Sequence, residues 1–193
     1  MQWNDLRGHL RNMYKIIKLY RHGETVWNKE GRLQGWLDSP LTETGRALAE
    51  QVQWVPDFVI SSDLNRAVET ASLMFPHAKL QTDARLREIN LGNWQGQDVT
   101  VLEKDASYQL YLQQPVHFRG QSQESFEDLA ARMFEVLYDV SRLSFEKIAL
   151  VSHGVAIASV SAMLQEQSFQ HIWRYLPKNG EFLEIDSRVL QQI

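Results

Sequence analysis

Three short apolar runs in this chain each end in residues able to hold or attack an anion. Leu19-Tyr20 runs into Arg21-His22-Gly23, Val59-Ile60 into Ser61-Ser62 with Arg66 beyond, and Leu150-Val151 into Ser152-His153-Gly154. Arg21 and Arg66 supply planar, permanently charged forks of donors, which is what a phosphate dianion needs. A histidine can attack phosphorus through one ring nitrogen while a backbone carbonyl holds the other. Arginines beside it lower its pKa and so favour the neutral, nucleophilic ring. Gly23 and Gly154 would let backbone approach a ligand closely, and a helix opening at Gly154 would add partial positive charge there. Singly, each feature is ordinary: a histidine at a strand end is usually a polar loop residue, and an arginine on a helix is usually solvated. Their conjunction at three strand ends is what points to phosphoryl chemistry.

The elements that must position these groups alternate between strand and helix. Tyr14–Tyr20 reads as a buried first strand, Asp57–Ser62 as a second, Ala78–Thr82 as a third and Lys147–Ser152 as a fourth. Leu41–Trp54 reads as a helix with Thr42 as N-cap, Gly45 tolerated, and Leu48, Val52 and Val55 on its apolar stripe. Asp63–Phe75 reads as a helix with Leu64, Ala67, Ala71 and Met74 on one side; Glu124–Leu143 and Gly154–Leu164 follow as further helices. Between Leu91 and Gln123 the pattern weakens around one short helix near Asp98–Gln114, and Glu181–Asp186 closes the chain as an edge strand. The expected fold class is α/β, three layers with a mostly parallel central sheet. In such sheets ligands bind beyond the carboxyl ends of the strands, where these polar groups fall.

Composition narrows the field. At 193 residues with 44% apolar content, one compact domain with a sizeable core is expected. A net charge of −4 without a basic run argues against nucleic acid as partner. The chain has no cysteine, which removes disulfides, thiolate metal sites and a cysteine nucleophile. The six histidines show no metal-ligand spacing, and no glycine-rich nucleotide loop occurs, so neither metal nor cofactor is expected. No run approaches the roughly 18 apolar residues of a membrane span. Residues 1–12 lack the apolar stretch of a secretory signal and read as a non-essential extension before Met13, so a cytoplasmic protein is expected.

Five blocks together resemble the histidine phosphatase superfamily, the phosphoglycerate mutase-like proteins. They are Leu19–Thr25 with Asn28, Gly31–Thr42 with Gly45, Ser61–Ala71, Leu86–Ile89 with Gly92–Gly96, and Val151–Gly154. The resemblance implies that His22 is a nucleophile that becomes phosphohistidine. It implies that Arg21, Arg66 and His153 form a phosphate pocket with Asn28 adding a hydrogen bond, and that Gln34 and Gly35 line its mouth. Glu88 would be the general acid and then the base, a role that a carboxyl group with a pKa raised by burial would suit. The resemblance also implies a small helical cap, residues 91–123, over the carboxyl ends of the strands.

Departures from the mutase pattern favour hydrolysis. Mutases of the family carry Glu-Arg-His-Tyr-Gly, where this chain has Glu88-Ile89-Asn90-Leu91-Gly92, and their paired arginines have no counterpart around Tyr108–Pro115. Gln95 and Gln123 stand where relatives often have Glu and Gly. Between Leu91 and Glu124 the only basic residues are Lys104, His117 and Arg119, which does not suit a polyphosphorylated substrate. The aromatic residues of that segment would suit a monophosphate ester with an apolar or aromatic body, or else simply pack the cap. The expected partner is a small-molecule phosphate ester, with a homo-oligomer left open. The competing readings are a mutase-type phosphoryl transferase and a silent phosphate-ligand sensor on the same fold.

Overall fold

The computed structural model describes residues 15–191; the 1–12 extension and Tyr14 lie outside the described residues. β1 spans Ile16–Arg21 and leads into a short helix α1, Val26–Glu30, which the sequence reading did not anticipate. At five residues α1 is too short to show apolar periodicity, but it carries a reciprocal capping box between Thr25 and Asn28 and ends at Gly31 with φ +68°. α2 follows at Glu43–Glu50, with the Thr42 hydroxyl accepting from Gly45 N as its cap. β2 is Phe58–Ser61, α3 is Asn65–Met74, and β3 is Leu80–Thr82. Two helices, α4 (Val99–Leu102) and α5 (Ala106–Gln113), replace the one expected between Asp98 and Gln114, each started by an aspartate cap. α6 (Phe126–Ser141), β4 (Lys147–Ser152), α7 (Gly154–Leu164) and the antiparallel edge strand β5 (Phe182–Asp186) complete the order, with a 3-10 segment at Phe169–Tyr175.

The sheet runs β3-β2-β4-β1-β5, parallel except where β5 pairs with β1. Alternation along the strands divides the core. Ile17, Leu19, Ile60, Ile148 and Leu150 meet α6 and α7 on one face; Tyr20, Val59, Ala149 and Val151 meet α2 and α3 on the other. This is the expected three-layer arrangement of a mostly parallel sheet between helices.

The apolar stripe expected on α2 is not what buries it. Leu48 is exposed and Val55 lies beyond the helix at 75% exposure; Val52, also beyond it, packs on the core, and within the helix Gly45 and Ala49 face the core. The reason is close backbone approach: a Cβ on Gly45 would stand 2.3 Å from the Glu24 carbonyl oxygen, and one on Gly23 would stand 2.8 Å from the Gly45 oxygen. Gly45 is therefore required by packing rather than tolerated by the helix. Gly23 spends its missing side chain on α2 instead of on a ligand.

Candidate active site

β1 and β4 are adjacent and in register, with Arg21 opposite Ser152, so His22 and His153 leave the sheet side by side. Their ring centroids are 5.1 Å apart, and both rings are buried. The His22 Nδ1 lies 2.7 Å from the Gly23 carbonyl, a partner that can only accept, so Nδ1 carries the proton and Nε2 is the unprotonated nitrogen with the lone pair. Arg66, at the start of α3, is 1% exposed and aims Nε at that nitrogen from 3.3 Å. Its other donors reach Leu37 O, Asp38 Oδ1 and Gly35 O at 2.8, 3.0 and 2.7 Å. Burial, then Arg66, then Arg21 push the His22 pKa well below its ordinary value, and burial with Arg66 does the same for His153.

Ser62 settles the tautomer of His153. Its hydroxyl accepts from Leu64 N at 3.3 Å, and among the described residues the one acceptor within its reach is His153 Nε2 at 2.8 Å. Ser62 therefore donates to Nε2, and the His153 proton sits on Nδ1, which is buried and has no partner among the described residues. Arg21 is also incompletely bound: Nη1 donates to Pro177 O at 2.6 Å, while its buried Nε has no partner among the described residues. Two orphaned donors thus accompany Arg66 around His22, the provision an anion would satisfy. A Cβ at Gly154 would stand 3.0 Å from Leu176 Cδ1 and 3.1 Å from the Arg21 guanidinium carbon, so this glycine makes room for those side chains beside the cavity that it also lines.

Glu88 is half-buried and rests on the N-terminus of α7, accepting from Val155 N and Ala156 N at 3.1 and 2.9 Å and from Ile89 N at 3.0 Å. The burial expected for it is thus only partial, because the open helix end takes the carboxylate. Arg132 on α6 fixes the segment that carries it, donating to the carbonyls of Arg85, Arg87 and Glu88 at 2.6–2.8 Å while paired with Glu124. Sequence reasoning missed Arg132, since nothing local links it to residues over forty positions away. It also passed over two anchors of the nucleophile loop. Thr70 accepts from Gly23 N at 2.9 Å, and Asn179 donates to His22 O at 3.1 Å and to Asn28 Oδ1 at 3.3 Å. Thr70 lies one turn after Arg66 on the same face of α3, a spacing that could have flagged it. With its oxygen also capping Thr25 N, Asn28 keeps only its Nδ2 amide for a ligand.

A cavity of about 280 Å³ opens from these groups, its lining including Arg21, His22, Asn28, Gln34, Gly35, Arg66 and Glu88. His153, fully buried with its ring 5.1 Å from that of His22, is not among the lining residues. Gly35 adopts φ +53°, and Gln95 holds the loop by accepting from Trp36 N at 2.6 Å. Of the aromatic residues in 91–123, Trp94 and Phe118 pack within the cap, and only Tyr108 and Tyr111 reach the cavity. Among the described residues no group of His, Asp or Glu is placed to hold a metal ion, and no helix is long and apolar enough to cross a membrane.

Arg21, His22 and His153 at the ends of β1 and β4, with the buried Arg66 of α3 beside them, form a site suited to holding and attacking a phosphoryl group. The family model described as histidine phosphatase superfamily (branch 1) matches residues 17–188, and the chain belongs to that family. It is 34% identical over 165 residues to glucosyl-3-phosphoglycerate phosphatase of Mycobacterium tuberculosis, covering 77% of this chain and 74% of that one. It is 36% identical over 158 residues to a Yersinia pestis protein named "Probable phosphoglycerate mutase GpmB", covering 77% and 74%. The structure of Bacillus stearothermophilus YhfR superposes with a TM-score of 0.79 at 32% identity, covering 86% of this chain and 87% of that one. The family and its phosphatase relatives place the chain among phosphoric monoester hydrolases.

Proposed function

We propose that this chain hydrolyses a small phosphorylated metabolite without a metal ion, through a phosphohistidine on His22. The observation that carries the reading is the protonation of His22: Nδ1 is committed to Gly23 O, so Nε2 offers its lone pair among Arg66, the open Nε of Arg21 and the Nδ1–H of His153. In the first step Nε2 bonds to phosphorus as the ester P–O bond breaks, and Glu88 gives its proton to the departing alcohol oxygen. Phosphoryl oxygens take up the donors of Arg21, Arg66, His153 and the Asn28 amide, which stabilise charge as it spreads over them. In the second step water attacks phosphorus, Glu88 takes its proton, and the N–P bond breaks to return His22 and release phosphate. Gln34 and Gly35 would border the leaving group.

Mutase chemistry would require this site to retain the phosphoryl group against water and to grip a carboxylate. Ile89 and Leu91 stand where the mutase pattern has charged and hydroxyl-bearing side chains, and both line the cavity. Hydrolysis of p-nitrophenyl phosphate in excess chelator, wild type beside His22→Ala, tests the proposal. Phosphate release by the wild type alone supports it; release by His22→Ala near the wild-type rate, or by neither protein, overturns it.

A further inference from the structure

Besides the groups around His22, the cavity lining includes Leu91, Leu112, Trp173 and Leu176 and, apart from Asn28, three neutral polar side chains, Gln34, Tyr108 and Tyr111. None of those three polar groups is spent on the protein. Gln34 is 7% exposed, and its buried Oε1 has no partner among the described residues. Tyr111 is 3% exposed and Tyr108 is 5% exposed, and neither hydroxyl is hydrogen-bonded to any described residue. Gln34 contributes a buried oxygen without a partner, and the two phenol hydroxyls open on the same cavity without a protein partner, so a ligand bound there would supply partners to all three. By contrast, the Trp173 indole N–H is already committed to Leu112 O at 2.8 Å, so that residue offers only its ring.

The chemistry of these groups selects among ester bodies. A carboxamide and two phenols both donate and accept, which matches hydroxyl groups. A carboxylate accepts only, and would be set near the orphaned Gln34 oxygen and the Glu88 carboxylate with no cation committed to it. Burial, then Glu88, then Tyr108 push the Tyr111 phenol well above its ordinary pKa, so it remains a protonated donor. The cation on the cavity wall, Arg32, is solvent-exposed. It donates to Gly96 O at 3.0 Å, lies 3.7 Å from Glu30 and stacks over Trp27, so its charge is partly answered at the surface.

We infer that this part of the cavity is a subsite for an uncharged, hydroxyl-bearing ester body, that of a polyol or sugar monophosphate, read by Gln34, Tyr108 and Tyr111. The inference rests on the phosphomonoesterase reading above. At about 280 Å³ the cavity accommodates a compact body beside the phosphoryl group. A site built to hydrogen-bond hydroxyls disfavours an analogue lacking them, because its own buried groups are then left unpaired.

The test is kcat/KM for glycerol 3-phosphate, 3-phosphoglycerate, n-propyl phosphate and p-nitrophenyl phosphate, in wild type and Tyr111→Phe. The first three share a three-carbon body: glycerol 3-phosphate carries two hydroxyls, 3-phosphoglycerate one hydroxyl and a carboxylate, and n-propyl phosphate neither. Glycerol 3-phosphate should exceed each of the other two by about tenfold or more in the wild type. Tyr111→Phe should narrow its lead over n-propyl phosphate to about threefold or less. A wild type that prefers 3-phosphoglycerate, or treats glycerol and propyl esters alike while still hydrolysing p-nitrophenyl phosphate, overturns the inference and leaves the phosphatase reading standing. Release from none of the esters overturns both. The wild-type comparison decides the matter even if Tyr111→Phe fails to fold.

Discussion

Nε of Arg66 stands 3.3 Å from Nε2 of His22, so the buried cation that would grip the phosphoryl group also points at the nitrogen that would attack it. The same guanidinium is braced by the carbonyls of Gly35 and Leu37 and by Asp38, which fixes the direction of its fork. Arg66→Lys keeps the charge but cannot reproduce that geometry. It should weaken vanadate inhibition by about tenfold to a hundredfold, the range expected for losing one or two charge-assisted hydrogen bonds. An unchanged inhibition constant would place Arg66 outside the anion pocket.

Ser62→Ala removes the hydroxyl that donates to His153 Nε2. Nitrogen chemical shifts of the His153 ring should show the Nδ1–H tautomer in wild type and in Ser62→Thr. In Ser62→Ala the Nε2–H form should appear, and kcat/KM should fall about tenfold or more, consistent with a misdirected donor. An Nε2–H tautomer in the wild type would refute the assignment.

Glu88→Gln keeps the side-chain length and one acceptor oxygen for the N-terminus of α7, gives up the other, and has no carboxylic proton to give. General acid catalysis is worth roughly a hundredfold to ten-thousandfold. The loss should therefore be large for alkyl phosphates, whose leaving groups need protonation, and small for the first step with p-nitrophenyl phosphate. Equal loss across leaving groups would argue that Glu88 is not the acid.

His22 and His153 are buried with pKa values held well below the imidazole value of 6.5. Below that pH the unfolded chain binds protons that the folded one refuses, so their linkage destabilises the protein as pH falls from about 6.5 toward the lowered folded-state values. Each contributes a slope of up to about 1.4 kcal/mol per pH unit, and none of it acts above that window. Urea unfolding between pH 7 and 5 should show the decline, and His22→Asn should reduce its slope. A pH-independent midpoint across that range would contradict the buried neutral state.

Gly45→Ala places a methyl group against the Glu24 backbone, 2.3 Å from its carbonyl oxygen. Either α2 or the loop following His22 must move. A loss of about 1–3 kcal/mol in unfolding free energy is expected, the usual cost of overpacking, together with reduced turnover because Gly23 is displaced with its neighbour. Wild-type stability would show that the two backbones separate freely.

The sequence alone was enough to place the strands that carry Arg21, His22, Ser62 and His153, since each is a short apolar run ending in polar residues. It also placed α6 and α7, whose apolar residues are dense enough to be read without knowing their neighbours. Block order then named the candidate site residues through family resemblance. What it could not supply were relations across the fold. The stripe on α2 was misread because glycine packing against backbone leaves no hydrophobic signature. Arg132, Thr70 and Asn179 act on loops distant in sequence, through hydrogen bonds that exist only once β1, β4, α3 and α6 are assembled. The tautomers of His22 and His153 were likewise undetermined, because which ring nitrogen carries the proton is set by whether the partner that the fold places beside it accepts or donates. Whether an aromatic residue of the cap is packing or contact surface was decided by which of these buried rings the fold turns to the cavity: Trp94 and Phe118 are not among its lining, and Tyr108 and Tyr111 are, with hydroxyls unmatched by the protein.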